Sequence, residues 1–206
     1  MRRKEVHGSF HITPAEVIRA ECAEDGIYVE AEIKSTALFG KNLVMRRKIF
    51  SAYNSSKIEL RDELVNFGTK EEDYCLLYHI NLGYPLLAEG GKIIADTEKV
   101  KGGNDRAEKF IKEWDTVFPP EDNAEEACYY LKPKDGTVYY FNPRSKRKFT
   151  LNFSDNLDNF LLWKSWASGD YALGLEPTTT FLDENFSYRK ISAGKSEFYR
   201  VTLTIE

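Results

Sequence analysis

Ile27-Tyr28-Val29-Glu30-Ala31-Glu32-Ile33-Lys34 decides the fold class. Its odd positions are apolar and its even positions are mostly charged. A period of two puts alternate side chains on opposite faces, which is the pattern of a half-buried strand. Residues 17–23 precede it, and Glu24-Asp25-Gly26 reads as the turn of a hairpin between the two. The alternation returns over 57–65, where Ile58, Leu60 and Leu64 oppose Lys57, Glu59, Arg61 and Glu63. Asp62 falls on the apolar face, where a carboxylate must be hydrogen-bonded, and a structural contact is expected of it.

Further strands are expected at 75–80, 92–95, 127–131, 137–141, 147–153, 160–166, 171–175 and 197–205. Lys134-Asp135-Gly136 has the composition of a hairpin turn between two of them. One segment reads as helix: Asn104 caps it, and Ala107, Phe110, Ile111 and Trp114 recur at helical spacing before Pro119-Pro120. Many strands with one short helix predict an all-β sandwich. No repeat, low-complexity tract or dividing linker interrupts the chain, so 1–206 reads as a single domain. Residues 99–105 and 117–124 are expected to be loops that shape a site.

Composition narrows the function. The 206 residues carry 29 Lys and Arg against 33 Asp and Glu, a formal charge of −4. That balance gives no reason to propose a nucleic-acid partner, which favours a basic stripe. The four cations of residues 144–148 read as a solvated strand start. No apolar run is long enough for a membrane span, and MRRKEVHGSF lacks the apolar core of a signal peptide, so a cytoplasmic location and no membrane partner are expected. Cys22, Cys75 and Cys128 are too few and too scattered for a disulfide scaffold or zinc ribbon, and three buried thiols are expected. Aromatic residues reach 14%, a content that suits both strands and sites where flat rings meet a polar ligand.

Three histidines are available: His7, His11 and His79. His79 lies in CLLYHINLGYPLL, residues 75–87. If that stretch is a strand, His79 and Asn81 share one face and Tyr78 and Ile80 the other. Glu176 lies in YALGLEPTT, residues 171–179, at the end of an apolar run, with Pro177 holding it in extended geometry. Burial there would raise its pKa toward the range of a general base. His7 and His11 have the spacing of a metal pair, but Pro14 argues against a helix and no third ligand is near, so no metal is assigned.

HGSFHITPAE, LLYHINLGYPLL and DYALGLEPTT, in that order, resemble the galactose mutarotase-like superfamily, and more closely its aldose 1-epimerase-like branch, a domain of unknown function. The resemblance covers nearly the whole chain. It implies a β-supersandwich and a sugar as partner, with neither metal nor cofactor. It implies that Glu176 takes the proton from the anomeric hydroxyl and that His79 gives one to the ring oxygen. It casts His7 as a substrate contact, with Asn81 beside His79. Lys164, in Leu162-Trp163-Lys164, resembles a feature of the uncharacterised branch and is a candidate contact for hydroxyls or an acidic group. Glu125 or Glu126 lies in about the region where the family has an aspartate contact, and Glu125 is taken as the candidate.

The same resemblance implies that the chain corresponds to the C-terminal two-thirds of the family fold, because the family carries further strands before its His-Gly motif. Absent strands would leave a sheet edge to be covered, and a homo-oligomer through that edge is one way to do so. The expected function is an aldose 1-epimerase-like isomerase that interconverts sugar anomers. The runner-up is a non-catalytic carbohydrate-binding module, or a truncated remnant, on the same fold.

Overall fold

The structure, a computed structural model, describes Gly8 and residues 10–206. His7 therefore lies outside the described residues. Fifteen strands are described, in chain order: β1 (Glu16–Cys22), β2 (Gly26–Thr36), β3 (Asn42–Ala52), β4 (Lys57–Asn66), β5 (Glu72–Tyr74), β6 (Ile80–Leu82), β7 (Lys92–Ile94), β8 (Thr97–Gly102), β9 (Ala127–Pro133), β10 (Thr137–Asn142), β11 (Arg147–Phe153), β12 (Asn159–Ser165), β13 (Ala172–Thr178), β14 (Arg189–Ile191) and β15 (Ser196–Ile205). One short helix, α1 (Asp105–Lys109), lies between β8 and β9. Asn104 caps it: the Oδ1 accepts the backbone N–H of Ala107.

The chain divides into two compact units. The first comprises the residues up to Tyr74 together with Arg189–Val201. Its strand order is β1-β2-β3-β4-β15, with β5 and β14 as a separate pair. The alternation that marks β2 and β4 serves an antiparallel meander. β2 pairs with β3 along eleven residues, from Gly26 opposite Ala52 to Thr36 opposite Asn42. Asp62 is 2% exposed, and the Arg47 guanidinium meets it with two donors, Nε to Oδ1 at 2.9 Å and Nη2 to Oδ2 at 2.6 Å. The inward carboxylate is thus held by a bidentate pair, as a buried charge requires.

The second unit comprises Cys75–Tyr188 and Thr202–Glu206. Here one sheet runs β15-β11-β10-β7 and another β6-β13-β12-β9-β8. The two bury a common set of side chains, among them Val138, Tyr140, Leu151, Phe160, Leu162, Leu173 and Leu175, and the Phe153 and Phe160 rings meet at 5.7 Å.

Several local expectations need correction. Residues 75–79 are not a strand; the strand is Ile80–Leu82, and the preceding segment joins β13 only through the bridge of Leu77 to Thr178. Residues 99–102 belong to β8 and are not a loop. The Lys134-Asp135-Gly136 turn makes no hairpin, since β9 pairs with β8 and β12 while β10 pairs with β7 and β11. Gly136 is needed there for its backbone: its φ is +61°, and a Cβ would lie 2.6 Å from the Phe153 carbonyl oxygen. The thiols are not buried as a set: Cys22 and Cys75 are exposed and Cys128 is half-buried.

Candidate functional site

The site is built on three antiparallel strands of the second unit. β6 pairs with β13 so that Asn81 is opposite Gly174 and Ile80 opposite Leu175. Continuing that register by one residue sets His79 opposite Glu176, and the Leu77–Thr178 bridge resumes it two residues further on. Tyr78 helps hold the segment, its N–H donating to the Pro177 carbonyl at 3.0 Å. Opposed residues on antiparallel strands project to one face. His79 and Glu176, about a hundred residues apart in sequence, meet there: His79 Nε2 lies 3.2 Å from Glu176 Oε1.

Neighbours fix both partners. On the far side of its ring, His79 Nδ1 lies 2.8 Å from Asn81 Oδ1. An amide oxygen only accepts, so Nδ1 carries a hydrogen and Nε2 is left facing Glu176. Trp163 of β12, opposite Gly174 in the ladder, packs edge-on against the His79 ring with centroids 5.7 Å apart. Gly174 supplies the space for the carboxyl: a Cβ there would lie 2.4 Å from Glu176 Oε1 and 3.1 Å from Trp163 Cβ. Cys128 of β9 stands opposite Trp163 on the same face. Burial, with Glu176 and Glu126 beside it, pushes the Cys128 thiol up to about 11.

The electrostatics set the pair apart. The Glu176 side chain is 2% exposed and that of His79 31%, so solvent reaches the pair from the histidine side. Burial pushes the Glu176 carboxyl up to about 8. Its Oε1 has no hydrogen bond although His79 Nε2 lies 3.2 Å away. With Nδ1 donating to Asn81, one proton between Glu176 and His79 has two resting places, the carboxyl or Nε2. That is the equipment of a general acid–base pair.

A family profile matches residues 1–205. The chain belongs to the family described as a domain of unknown function, DUF4432. No curated protein matches it. Solved structures named as galactose mutarotase-like share the β-sandwich fold of the chain. A candidate aldose 1-epimerase from Klebsiella pneumoniae superposes with a TM-score of 0.90 at 22% identity, covering 98% of this chain and 57% of the other. A galactose mutarotase-like protein from Clostridium acetobutylicum gives 0.73 at 13%, covering 98% and 69%. A candidate aldose 1-epimerase from Escherichia coli gives 0.73 at 11%, covering 97% and 71%. The DUF4432 chain thus spans a little over half the length of the Klebsiella protein.

The other residues singled out in the sequence fall elsewhere on the DUF4432 fold. Lys164 is opposite Leu173 and next to Trp163 on β12, so it projects to the reverse face of the sheet from Glu176. It is 1% exposed, donates to the Thr116 carbonyl at 3.0 Å, and has Tyr129 and Trp166 rings at 5.0 and 5.7 Å. Burial pulls its ammonium down to about 7. The structure does not bring it to the pair. Glu125 is exposed and lines a shallow cleft with Asn104, Asp105, Arg106 and Glu126, away from His79. Three residues of the site escaped the sequence reading: Trp163, Gly174 and Cys128. Strand parity counted from Glu176 points to Gly174, but the consecutive apolar residues 160–163 of β12 do not show which of Trp163 and Lys164 shares the Glu176 face.

Among the described residues, no group of three or more His, Cys, Asp or Glu is arranged to hold a metal ion. No helix of the described residues is long and apolar enough to cross a membrane.

Proposed function

We propose that the protein is a carbohydrate-binding aldose 1-epimerase-like isomerase, with Glu176 as base and His79 as acid. The observation that carries this reading is the buried carboxyl of Glu176, unsatisfied at Oε1 and 3.2 Å from His79 Nε2. The names borne by the structural neighbours agree with it.

The chemistry follows from the hemiacetal. The anomeric hydroxyl and the ring oxygen share one carbon, so a base for the first and an acid for the second must themselves lie close together. Glu176 as carboxylate takes the hydroxyl proton as the C1–O5 bond breaks. His79 Nε2 delivers its proton to O5, and an open-chain aldehyde forms. Rotation about C1–C2 presents the other face of the carbonyl. The pair then runs in reverse: His79 recovers the proton from O5–H, Glu176 returns its own to the new anomeric oxygen, and no net proton is consumed. Asn81 keeps the hydrogen of His79 on Nδ1 throughout, so Nε2 remains the exchanging nitrogen. Burial favours Glu176 as a proton holder in the open-chain stage, because it disfavours the carboxylate charge. Asn81 and Trp163 stand beside the pair as contacts for the sugar.

Magnetisation-transfer NMR of anomer exchange, over a panel of aldoses and against spontaneous mutarotation in the same buffer, tests this. Acceleration that disappears in Glu176→Gln is the expected result. Saturable sugar binding without acceleration in a folded sample would replace the isomerase with a carbohydrate-binding module.

A further inference from the structure

The β1–β4 meander of the first unit has two unlike faces. Opposed residues of an antiparallel ladder share a face. On one face the rows read Arg19–Glu30–Lys48–Arg61 and Glu16–Glu32–Arg46–Glu63. Arg46 pairs there with Glu32 and Glu63, and Glu30 pairs with Arg19 and Lys48. Arg46, Lys48 and Arg61 are exposed, so this face is a solvated charge ladder. On the other face the rows read Ala20–Val29–Ile49–Leu60 and Ile33–Met45–Leu64, and Cys22 stands opposite Ile27. Ile58, two residues before Leu60, lies on the same side. In the row Val17–Ala31–Arg47–Asp62 the two charged groups neutralise each other through their bidentate pair.

The apolar face runs out of cover. Met45 and Leu64 are buried. Val29, Ile33, Ile49 and Leu60 are half-buried. Ile27 is 45% exposed, Ile58 42% and Val17 61%. The apolar face of a sheet is stable when it is buried against another layer, and a contiguous exposed apolar surface marks a contact. Four strands about 4.8 Å apart, over about seven residues of about 3.4 Å each, give a flat footprint of about 450 Å². Two such faces in contact cover about 900 Å² in all, before the relief of the side chains is counted, which is the low end of specific interfaces.

Charge selects the occupant. A polar or ionic partner would lose its hydration against isoleucine and valine without gaining hydrogen bonds. The occupant must present an uncharged apolar surface of similar extent, and the same face of a second copy is such a surface. A two-fold axis makes the same residues meet from both sides. The charge ladders then stay on the outside, so the formal charge of −4 on each chain is not concentrated at the contact. We propose that the protein forms a two-fold dimer in which the apolar faces of two β1–β4 meanders pack as layers about 10 Å apart. This contact leaves the hydrogen-bonding edge of β1 unpaired, and is therefore distinct from a dimer joined edge to edge. It does not depend on the isomerase reading. Its modest area makes the dimer reversible, with a Kd in the micromolar range.

Sedimentation velocity of the full chain, from about 1 to about 100 μM, is the test. Wild-type protein is expected to pass from monomer to dimer over that range. Ile27→Lys and Ile58→Lys, both at exposed positions, should each raise Kd at least about tenfold. Two separate variants guard against one of them misfolding. Lys48→Ala, on the charge ladder, should leave Kd unchanged. A wild-type chain that stays monomeric across the range would overturn the dimer, and binding of that monomer to phosphatidylcholine vesicles would give the face to a lipid surface instead. A dimer that tolerates both lysines but is lost in Ile18→Pro would be an edge pairing of β1, which overturns the face-to-face contact.

Discussion

Glu176 and Lys164 lie on neighbouring strands of one sheet, each 1% exposed, and the two faces of that sheet treat them differently. On the reverse face Lys164 is committed: its ammonium donates to the Thr116 carbonyl between two aromatic rings. On the other face Glu176 keeps Oε1 uncommitted, against a histidine that solvent can reach. Burial alone does not distinguish a working group from a structural one. What separates Glu176 from Lys164 is that its Oε1 is buried without a hydrogen bond, a costly state for a polar atom.

The contrast is sharpest in exchange kinetics. Glu176→Gln keeps the shape and removes the base, and should lower sugar anomer exchange about 10³-fold by magnetisation-transfer NMR. His79→Ala should cost about 10²-fold. Gly174→Ala puts a methyl group where the carboxyl lies and should cost about tenfold, the effect of some 1.4 kcal/mol. A full-rate Gly174→Ala protein would show that the berth is not needed. Lys164→Met, one residue from Trp163, should leave exchange within about twofold. A large loss there would break the distinction between the faces.

The same two residues should tilt stability in opposite directions with pH. Glu176 holds its proton in the folded protein up to about 8, whereas the unfolded chain releases it near 4.5. Its contribution to stability therefore falls as pH rises through that window. Lys164 is neutral in the fold above about 7 and charged in the unfolded chain up to 10.5, so its contribution falls as pH drops from 10.5 to 7. Urea denaturation across pH 5–10 checks both slopes. Glu176→Gln should gain on wild type as pH climbs toward 8, and Lys164→Met should gain as pH descends toward 7. The slope of either is at most about 1.4 kcal/mol per pH unit. Two gains with the same pH trend would show that the faces do not differ in this way.

The sequence shows its strands where apolar and charged residues alternate, although in β2 no residue after Gly26 is buried. β2 and β4 alternate because only one side of each is apolar, and the Asx cap of α1 is a local signal read at Asn104. It hides parity where both faces are covered. The apolar residues of β12 (Asn159–Ser165) are consecutive from Phe160 to Trp163 and do not alternate, so nothing in the strand tells which side Trp163 or Lys164 takes. The mutarotase-like motifs carried His79 and Glu176, and their meeting needed the β6–β13 register, a long-range pairing that no local pattern encodes. Lys134-Asp135-Gly136 misled for a related reason: turn chemistry fixes the bend of the chain but not whether the departing strand pairs with the arriving one.

That turn has a kinetic consequence. The β1–β4 meander closes through loops of a few residues, so its ladders can assemble early and locally. Beyond Gly136 the chain leaves one sheet for another, and β13 finds β6 only after a loop of about ninety residues has closed. Long closures lose chain entropy before any contact repays it. The approach of His79 to Glu176 therefore belongs to the late events of folding, and a molecule in which that pair has formed has already completed the topology around it.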